Sequence, residues 1–123
     1  MNTKKEFIID KKRKIKIAFH TLGCKLNFSE TSSISRTFNK DKYSIVPFNS
    51  KADVYVINTC SVTENADKKT KSLIKLTLKK NINGFIAIIG CYAQLKTKEI
   101  SRIEGVDLVI GAKEKFRLAE YVR

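Results

Sequence analysis

The sequence predicts an α/β domain: a five-stranded, mostly parallel sheet, doubly wound by helices, with strand order 2-1-3-4-5. Three observations lead there. Short apolar runs alternate with amphipathic stretches along the chain after residue 14, the pattern of strand–helix units. Two of the runs, around Val54–Ile57 and Phe85–Ile89, lack a polar–apolar alternation, as strands covered on both faces do. Right-handed crossovers between parallel strands then leave only a few arrangements.

The elements follow in order. Residues 1–14 read as a basic tail closing on the charge run Lys11-Lys12-Arg13-Lys14, and residues 15–123 as one domain without internal repeat or linker. Ile15-Lys16-Ile17-Ala18-Phe19 is a first strand. Residues 27–40 read as a helix with Ile34 and Phe38 on one face, and Asn27 with Glu30 has capping-box spacing. Tyr43 to Phe48 is a second strand, marked as an edge by Pro47. Residues 53–57 form a third strand. Thr63 is a candidate N-cap for a long helix to about Asn81, with Glu64 and Asp67 in the first turn, where the helix dipole favours acids. Phe85-Ile86-Ala87-Ile88-Ile89 is the most apolar strand and is expected at the sheet centre. A short helix over 97–104, a fifth strand over 107–110 and a last helix over 113–122 complete the chain. The apolar side of that last helix would be Phe116, Leu118, Ala119 and Val122. The predicted order is that of flavodoxin-like, Rossmann-like folds.

Composition narrows the class. The chain has 123 residues, 42% hydrophobic and 30% charged, which fits one globular core and is too apolar for a disordered segment. No apolar run reaches the roughly 20 residues of a transmembrane helix. Phe7-Ile8-Ile9 is shorter than a secretory h-region, so the expected compartment is the cytoplasm. The net charge is +13, from 25 Lys and Arg against 12 Asp and Glu. Such an excess favours an anionic partner such as nucleic acid, or simply reflects lysine used as the default surface residue; a membrane surface is a weaker reading.

The three cysteines carry the chemistry. Cys24 lies just past the first strand, Cys60 ends the third and Cys91 ends the fourth. In order 2-1-3-4-5 these strands are neighbours, about 4.8 Å apart, and all three cysteines lie on the carboxyl edge. The crevice between strands one and three is the switch point where open α/β sheets bind ligands. Helix N-termini beginning soon after each loop would stabilise anionic sulfur. Three thiolates suit a soft metal centre. An iron–sulfur cluster ordinarily takes four cysteines, so three would leave one iron open. Zinc held by three Cys and His20, the one histidine, is a second reading. Three small buried hydrophobes at strand ends is a third. An odd, widely spaced count does not suit a secreted disulfide framework.

Three motifs carry a resemblance. Thr21-Leu22-Gly23-Cys24-Lys25-Leu26-Asn27, Asp53-Val54-Tyr55-Val56-Ile57-Asn58-Thr59-Cys60-Ser61-Val62-Thr63 and Gly90-Cys91-Tyr92-Ala93-Gln94 closely resemble the N-terminal domain of the radical S-adenosylmethionine methylthiotransferases. Gly105 to Gly111 is similar to that domain's closing strand. The resemblance runs from about residue 15 to the C-terminus.

It implies that Cys24, Cys60 and Cys91 bind an auxiliary 4Fe–4S cluster whose open iron holds the sulfur or methylthio group that is transferred. Lys25 after the first cysteine resembles the branch that modifies threonylcarbamoyladenosine beside the tRNA anticodon, making the anticodon stem-loop the implied partner. The branch acting on isopentenyladenosine typically has Gln there, and the ribosomal-protein branch Pro. The departure is the family's Cys-x-x-x-Cys-x-x-Cys motif: this chain has three cysteines and no such spacing. The radical SAM domain, with its S-adenosylmethionine and second 4Fe–4S cluster, and the small C-terminal RNA-binding domain are expected elsewhere, in cis or in trans. On that expectation the 123 residues are the first domain of a longer or split enzyme and are not competent alone. The alternative is a non-catalytic basic α/β RNA-binding module, zinc-bound or metal-free.

Other features are weaker. Asn27, Asn58 and Gln94 lie close to the cysteines and are expected to orient loops or hydrogen-bond cluster sulfides, with ordinary capping as the alternative for Asn27. Lys68, Lys71, Lys75 and Lys79 recur at helical spacing as a stripe for RNA phosphates or a solvated face, with Leu73, Ile74 and Thr77 toward the sheet. His20 is a candidate proton carrier or a structural histidine. Gly23, Gly90 and Gly111 follow strands, but no dinucleotide fingerprint or phosphate loop is present. No Ser/His/Asp set or paired-carboxylate site stands out.

Overall fold

The computed structural model describes residues 14–22, 25–59, 64–90, 93 and 97–122. Five strands, β1 (Ile15–Thr21), β2 (Tyr43–Val46), β3 (Val54–Thr59), β4 (Phe85–Gly90) and β5 (Leu108–Ile110), form one sheet. Its order is β2-β1-β3-β4-β5, and every pairing is parallel. Among the described residues, four helices connect or follow them: α1 (Lys25–Ser35), α2 (Glu64–Lys80), α3 (Thr97–Ser101) and α4 (Leu118–Tyr121). A 3₁₀ turn, Lys115–Arg117, precedes α4. The predicted topology is the one observed.

Strand alternation sorts side chains into two cores. On one face Ala18, Tyr55, Ile57, Ile86 and Ile88 pack with Ile74 of α2 and Ile100 of α3. On the other Ile17, Val56, Ala87, Ile89 and Ile110 pack with Ile34 of α1 and Leu118 of α4. The sheet is therefore covered on both sides. All six residues of β3 are buried, and β3 rather than β4 holds the middle place. β4, though the most apolar strand, lies one place from the edge because the short β5 extends the sheet beyond it.

Several boundaries differ from expectation for local reasons. β3 and β5 begin one residue late because the carboxylates of Asp53 and Asp107 turn onto neighbouring strands, accepting from the Lys16 and Ile86 N–H groups at 2.9 Å each. The first helix stops at Ser35 instead of residue 40. There the Ser35 and Thr37 hydroxyls donate to the carbonyls of Ser32 and Ile34, and the backbone tightens into turns from Thr37 to Ile34 and Phe38 to Ser35. Hydroxyl side chains compete with the helix in this way. Phe38 still reaches the core, edge-on to Phe19 and Tyr43. β2 ends at Val46, before Pro47, and is an edge strand as predicted.

α3 ends at Ser101, and the chain turns back at Gly105, whose φ is +99°. That left-handed backbone favours glycine, and a Cβ there would also press on the Leu78 side chain at 2.8 Å. The last helix is also corrected. Lys115 is drawn inward by Glu30, which winds residues 115–117 into a 3₁₀ turn and leaves Phe116 outside the core; Leu118, Ala119 and Val122 pack as expected. Residues 1–13 of the basic tail and the Thr63 cap lie outside the described residues.

Truncating Ile57, fully buried between β1 and β4, should cost about 2–5 kcal/mol in urea denaturation of Ile57→Ala. Ile82→Ala, at a side chain 78% exposed, should change stability by less than about 0.5 kcal/mol.

Candidate metal centre at the carboxyl edge

Cys24, Cys60 and Cys91 themselves lie outside the described residues, as do Gly23 and Gln94. What the structure describes is the strand ends that lead to them. Thr21, the last residue of β1, is in register with Asn58, and Thr59, the last of β3, with Gly90, the last of β4. Three adjacent parallel strands thus stop within one residue of one another. Cys60 and Cys91 are the next residues after β3 and β4, and Cys24 is the residue before α1. Among the described residues no three His, Cys, Asp or Glu side chains form a metal-holding group.

The edge is tied together by polar groups beneath it. The Leu22 N–H donates to the Asn58 carbonyl at 2.8 Å, extending β1 toward Cys24. The Thr59 hydroxyl donates to the Ile89 carbonyl at 2.7 Å, joining the ends of β3 and β4. Asn27 is not a cap: it lies inside α1, buried, and its Nδ2 donates to the Leu22 carbonyl at 2.8 Å and the Asn58 carbonyl at 3.3 Å. Asn58 answers with its own Nδ2, which donates to the Asn27 carbonyl at 3.3 Å and to Thr31 Oγ1 at 2.9 Å. Thr31 in turn meets the Thr21 hydroxyl at 2.7 Å.

Each carboxamide has two N–H donors, and all four are consumed. Asn27 and Asn58 therefore spend their amide donors on tying α1 to the ends of β1 and β3. Asn58 Oδ1 is buried without a hydrogen-bond partner among the described residues. It faces Gly90, where a Cβ would lie 2.9 Å from it and would overlap the Thr59 carbonyl oxygen. Gly90 also has a φ of +106°, so both space and backbone require glycine just before Cys91. An acceptor and a side-chain-free backbone together make a cradle at the strand ends. Its free acceptor suits a hydrogen-bond donor, while the N-terminus of α1 adds partial positive charge that favours an anionic group such as a thiolate.

The sequence reading missed Lys115. It is 4% exposed, 2.6 Å from Glu30 Oε1 and 3.4 Å from Asn27 Oδ1, so it anchors the C-terminal segment to α1 at the edge. A lysine distant in sequence from its partner leaves no local signal; its neighbour Phe116 even suggests the opposite face. His20 stands beside the edge on the α2 face. Its ring packs on Phe48 with centroids 4.9 Å apart, and burial lowers its pKa, so it is uncharged near neutral pH. Lys68, Lys71, Lys75 and Lys79 all lie on the exposed face of α2, while Ile74 and Thr77 are buried and Leu73 partly so, as the spacing predicts. Among the described residues no helix is long and apolar enough to cross a membrane.

Residues 16–111 match the group described as "Uncharacterized protein family UPF0004". Similar proteins include a threonylcarbamoyladenosine tRNA methylthiotransferase MtaB of Bacillus subtilis (strain 168), 44% identical over 86% of this chain and 24% of the relative. A relative of that name from Aquifex aeolicus (strain VF5) is 38% identical over 85% of this chain and 25% of its own length. A tRNA-2-methylthio-N(6)-dimethylallyladenosine synthase of Methylacidiphilum infernorum (isolate V4) is 36% identical over 81% and 22%. The chain spans about a quarter of the length of these relatives.

Two outcomes test the edge. Glu30→Ala strands the buried Lys115 ammonium and should cost about 2–3 kcal/mol in urea denaturation, below the usual range for a fully buried pair because Glu30 keeps a quarter of its exposure. Lys115→Met, which removes the charge with the pair, should cost less. His20 gives a pH signature. Its folded pKa lies below the ordinary 6.5, so the unfolded chain takes up the proton first. Stability should be full above pH 6.5 and fall as pH drops below it; His20→Phe should remove that part of the slope in melts taken from pH 7.5 to 5.5.

Proposed function

The chain belongs to the UPF0004 family, and on that premise we propose that it is the auxiliary 4Fe–4S cluster-binding domain of a tRNA methylthiotransferase. Cys24, Cys60 and Cys91 are the proposed ligands. The observation that carries the reading is the ending of β1, β3 and β4 within one residue of one another, each followed within three residues by a cysteine. When bound, the cluster would supply sulfur chemistry at an iron that three protein ligands leave open.

The chain's own residues have separate tasks. The Asn27–Asn58 pair and the Thr59–Ile89 bond hold the strand ends in register. Gly90 lets the backbone close onto β3 without a side chain. The α1 N-terminus favours the thiolate form of a cysteine placed before it. Three cysteines are too few for a second, S-adenosylmethionine-binding cluster. The proposal therefore assigns radical generation to a radical SAM domain in cis or in trans, and further RNA contacts to a separate RNA-binding domain.

The proposed substrate is threonylcarbamoyladenosine beside the tRNA anticodon, with the anticodon stem-loop as partner and the cytoplasm as compartment. Lys25 after the first cysteine supports this branch, as do relatives at 44%, 38% and 34% identity that carry threonylcarbamoyladenosine in their names.

Anaerobic reconstitution of the 123-residue chain with iron and sulfide tests the reading. The expected product holds about four irons with matching sulfide, and Cys24→Ala, Cys60→Ala or Cys91→Ala loses it. One tightly held zinc without sulfide would replace the reading with the zinc-bound module. The chain should stay folded by circular dichroism without iron, because its two cores need no metal to form.

A further inference from the structure

Beside the edge, a groove of about 420 Å³ opens between the end of β1 and the first half of α2, lined by His20, Leu22, Lys68, Lys69, Ser72 and Leu73. The volume lies in the range of small-molecule sites. None of these six side chains is acidic. Leu22 and Leu73 give the lining its apolar part, and His20 contributes an aromatic wall. That wall is held from behind: His20 packs on Phe48, and Phe48 stands edge-on to Tyr55 at 5.6 Å. The Tyr55 hydroxyl donates to the Ser50 carbonyl at 3.2 Å and accepts from the Ala52 N–H at 2.8 Å, which fixes the whole stack. With its charge suppressed by burial, the imidazole presents an aromatic face. The rim is cationic, from the exposed Lys68 and Lys69.

We propose that this groove docks one nucleotide of a single-stranded RNA segment, its base against Leu22, Leu73 and the His20 ring and its phosphate on Lys68 and Lys69. An apolar slot with an aromatic wall suits a base, and the two ammonium groups suit the phosphate attached to it. The occupant is a polymer because the cationic surface does not stop at the rim. Lys71, Lys75 and Lys79 continue along the exposed face of α2 for about three helical turns, roughly 16 Å beyond Lys68. A mononucleotide would use only the first of these charges. This site deepens the tRNA reading above and rests on it: Leu22 is two residues from Cys24, so the groove lies beside the loop that carries a proposed cluster ligand.

His20 is the one histidine, so its imidazole proton resonances report the groove without assignment. The experiment titrates the metal-free 123-residue chain with a ten-nucleotide oligoadenylate, its abasic counterpart and adenosine monophosphate, following the His20 resonances by NMR and affinity by fluorescence anisotropy. Oligoadenylate should move the His20 signals by ring-current shift and bind at least tenfold more tightly than the abasic strand. Ser72→Phe, at an exposed helix position, should fill the groove and weaken oligoadenylate at least tenfold with an unchanged salt slope. Lys68→Gln with Lys69→Gln should instead reduce the slope of log K against log salt by about 0.7 for each phosphate that is no longer neutralised. A His20 signal unmoved at saturation, or equal binding of the abasic strand, overturns the proposal. Adenosine monophosphate binding as tightly as the oligomer would reassign the groove to free nucleotides and overturn the RNA assignment. Iron and sulfide content of the reconstituted chain is independent of all these outcomes, so failure of the groove and failure of the cluster reading are distinguishable.

Discussion

The carboxyl edge depends on one constraint: β3 is buried on every side. A strand with six inaccessible residues must pair its backbone on both flanks and cover both faces, because an unpaired peptide group without water is costly. β1 and β4 supply the flanks, and helices on opposite faces supply the cover. Register follows from the same demand. Slipping β3 by one residue would send Tyr55 and Ile57 to the α1 side and Val56 to the α2 side, exchanging two differently shaped cores. The ending of three strands within one residue of one another is thus a by-product of packing.

The polar groups of β3 show how such burial is tolerated. The Tyr55 hydroxyl, Asn58 Nδ2 and the Thr59 hydroxyl each find partners within hydrogen-bond distance. Two of these residues, Asn58 and Thr59, stand at the carboxyl end, where the apolar core gives way to the loops. There the reciprocal Asn27–Asn58 contacts link α1, β1 and β3, and Lys115 with Glu30 brings in the C-terminal segment. A connected network of this kind rigidifies its surroundings more than isolated bonds would. Rigidity at this edge gives the chain a fixed point from which to leave each of the three strands.

α2 serves two purposes at once. Ile74 and Thr77 pack against the sheet, while Lys68, Lys71, Lys75 and Lys79 form the opposite, solvent-facing stripe. Between these faces, near the start of the helix, the groove meets the end of β1. The large positive charge of the chain is therefore displayed in part along a single helix that leads to the edge. The stripe runs from that edge toward the opposite end of the sheet, where Asn81 Nδ2 donates to the Ala52 carbonyl at 2.9 Å, and a single-sign face of this kind attracts anions.

Local pattern was enough to settle the class and the strand order, and with them the strand ends that the three cysteines follow in sequence. Apolar periodicity is a local property, and right-handed crossover leaves little freedom in joining the pieces. The two faces of α2 were legible for the same reason. The central strand follows from that order and not from apolarity, which measures burial and not position: β4 is more apolar than β3 yet lies nearer the edge. Helix ends at Ser35 and in the 115–121 region were decided by hydroxyl back-bonds and by a lysine drawn to Glu30, interactions that periodicity does not encode. The fold alone turned Asn27 from an apparent cap into a buried tie, since its partners Leu22 and Asn58 meet it through tertiary packing. The same holds for Lys115 and for the His20 groove. Each is made of residues far apart in the chain, and their meeting is a consequence of packing that no local pattern carries.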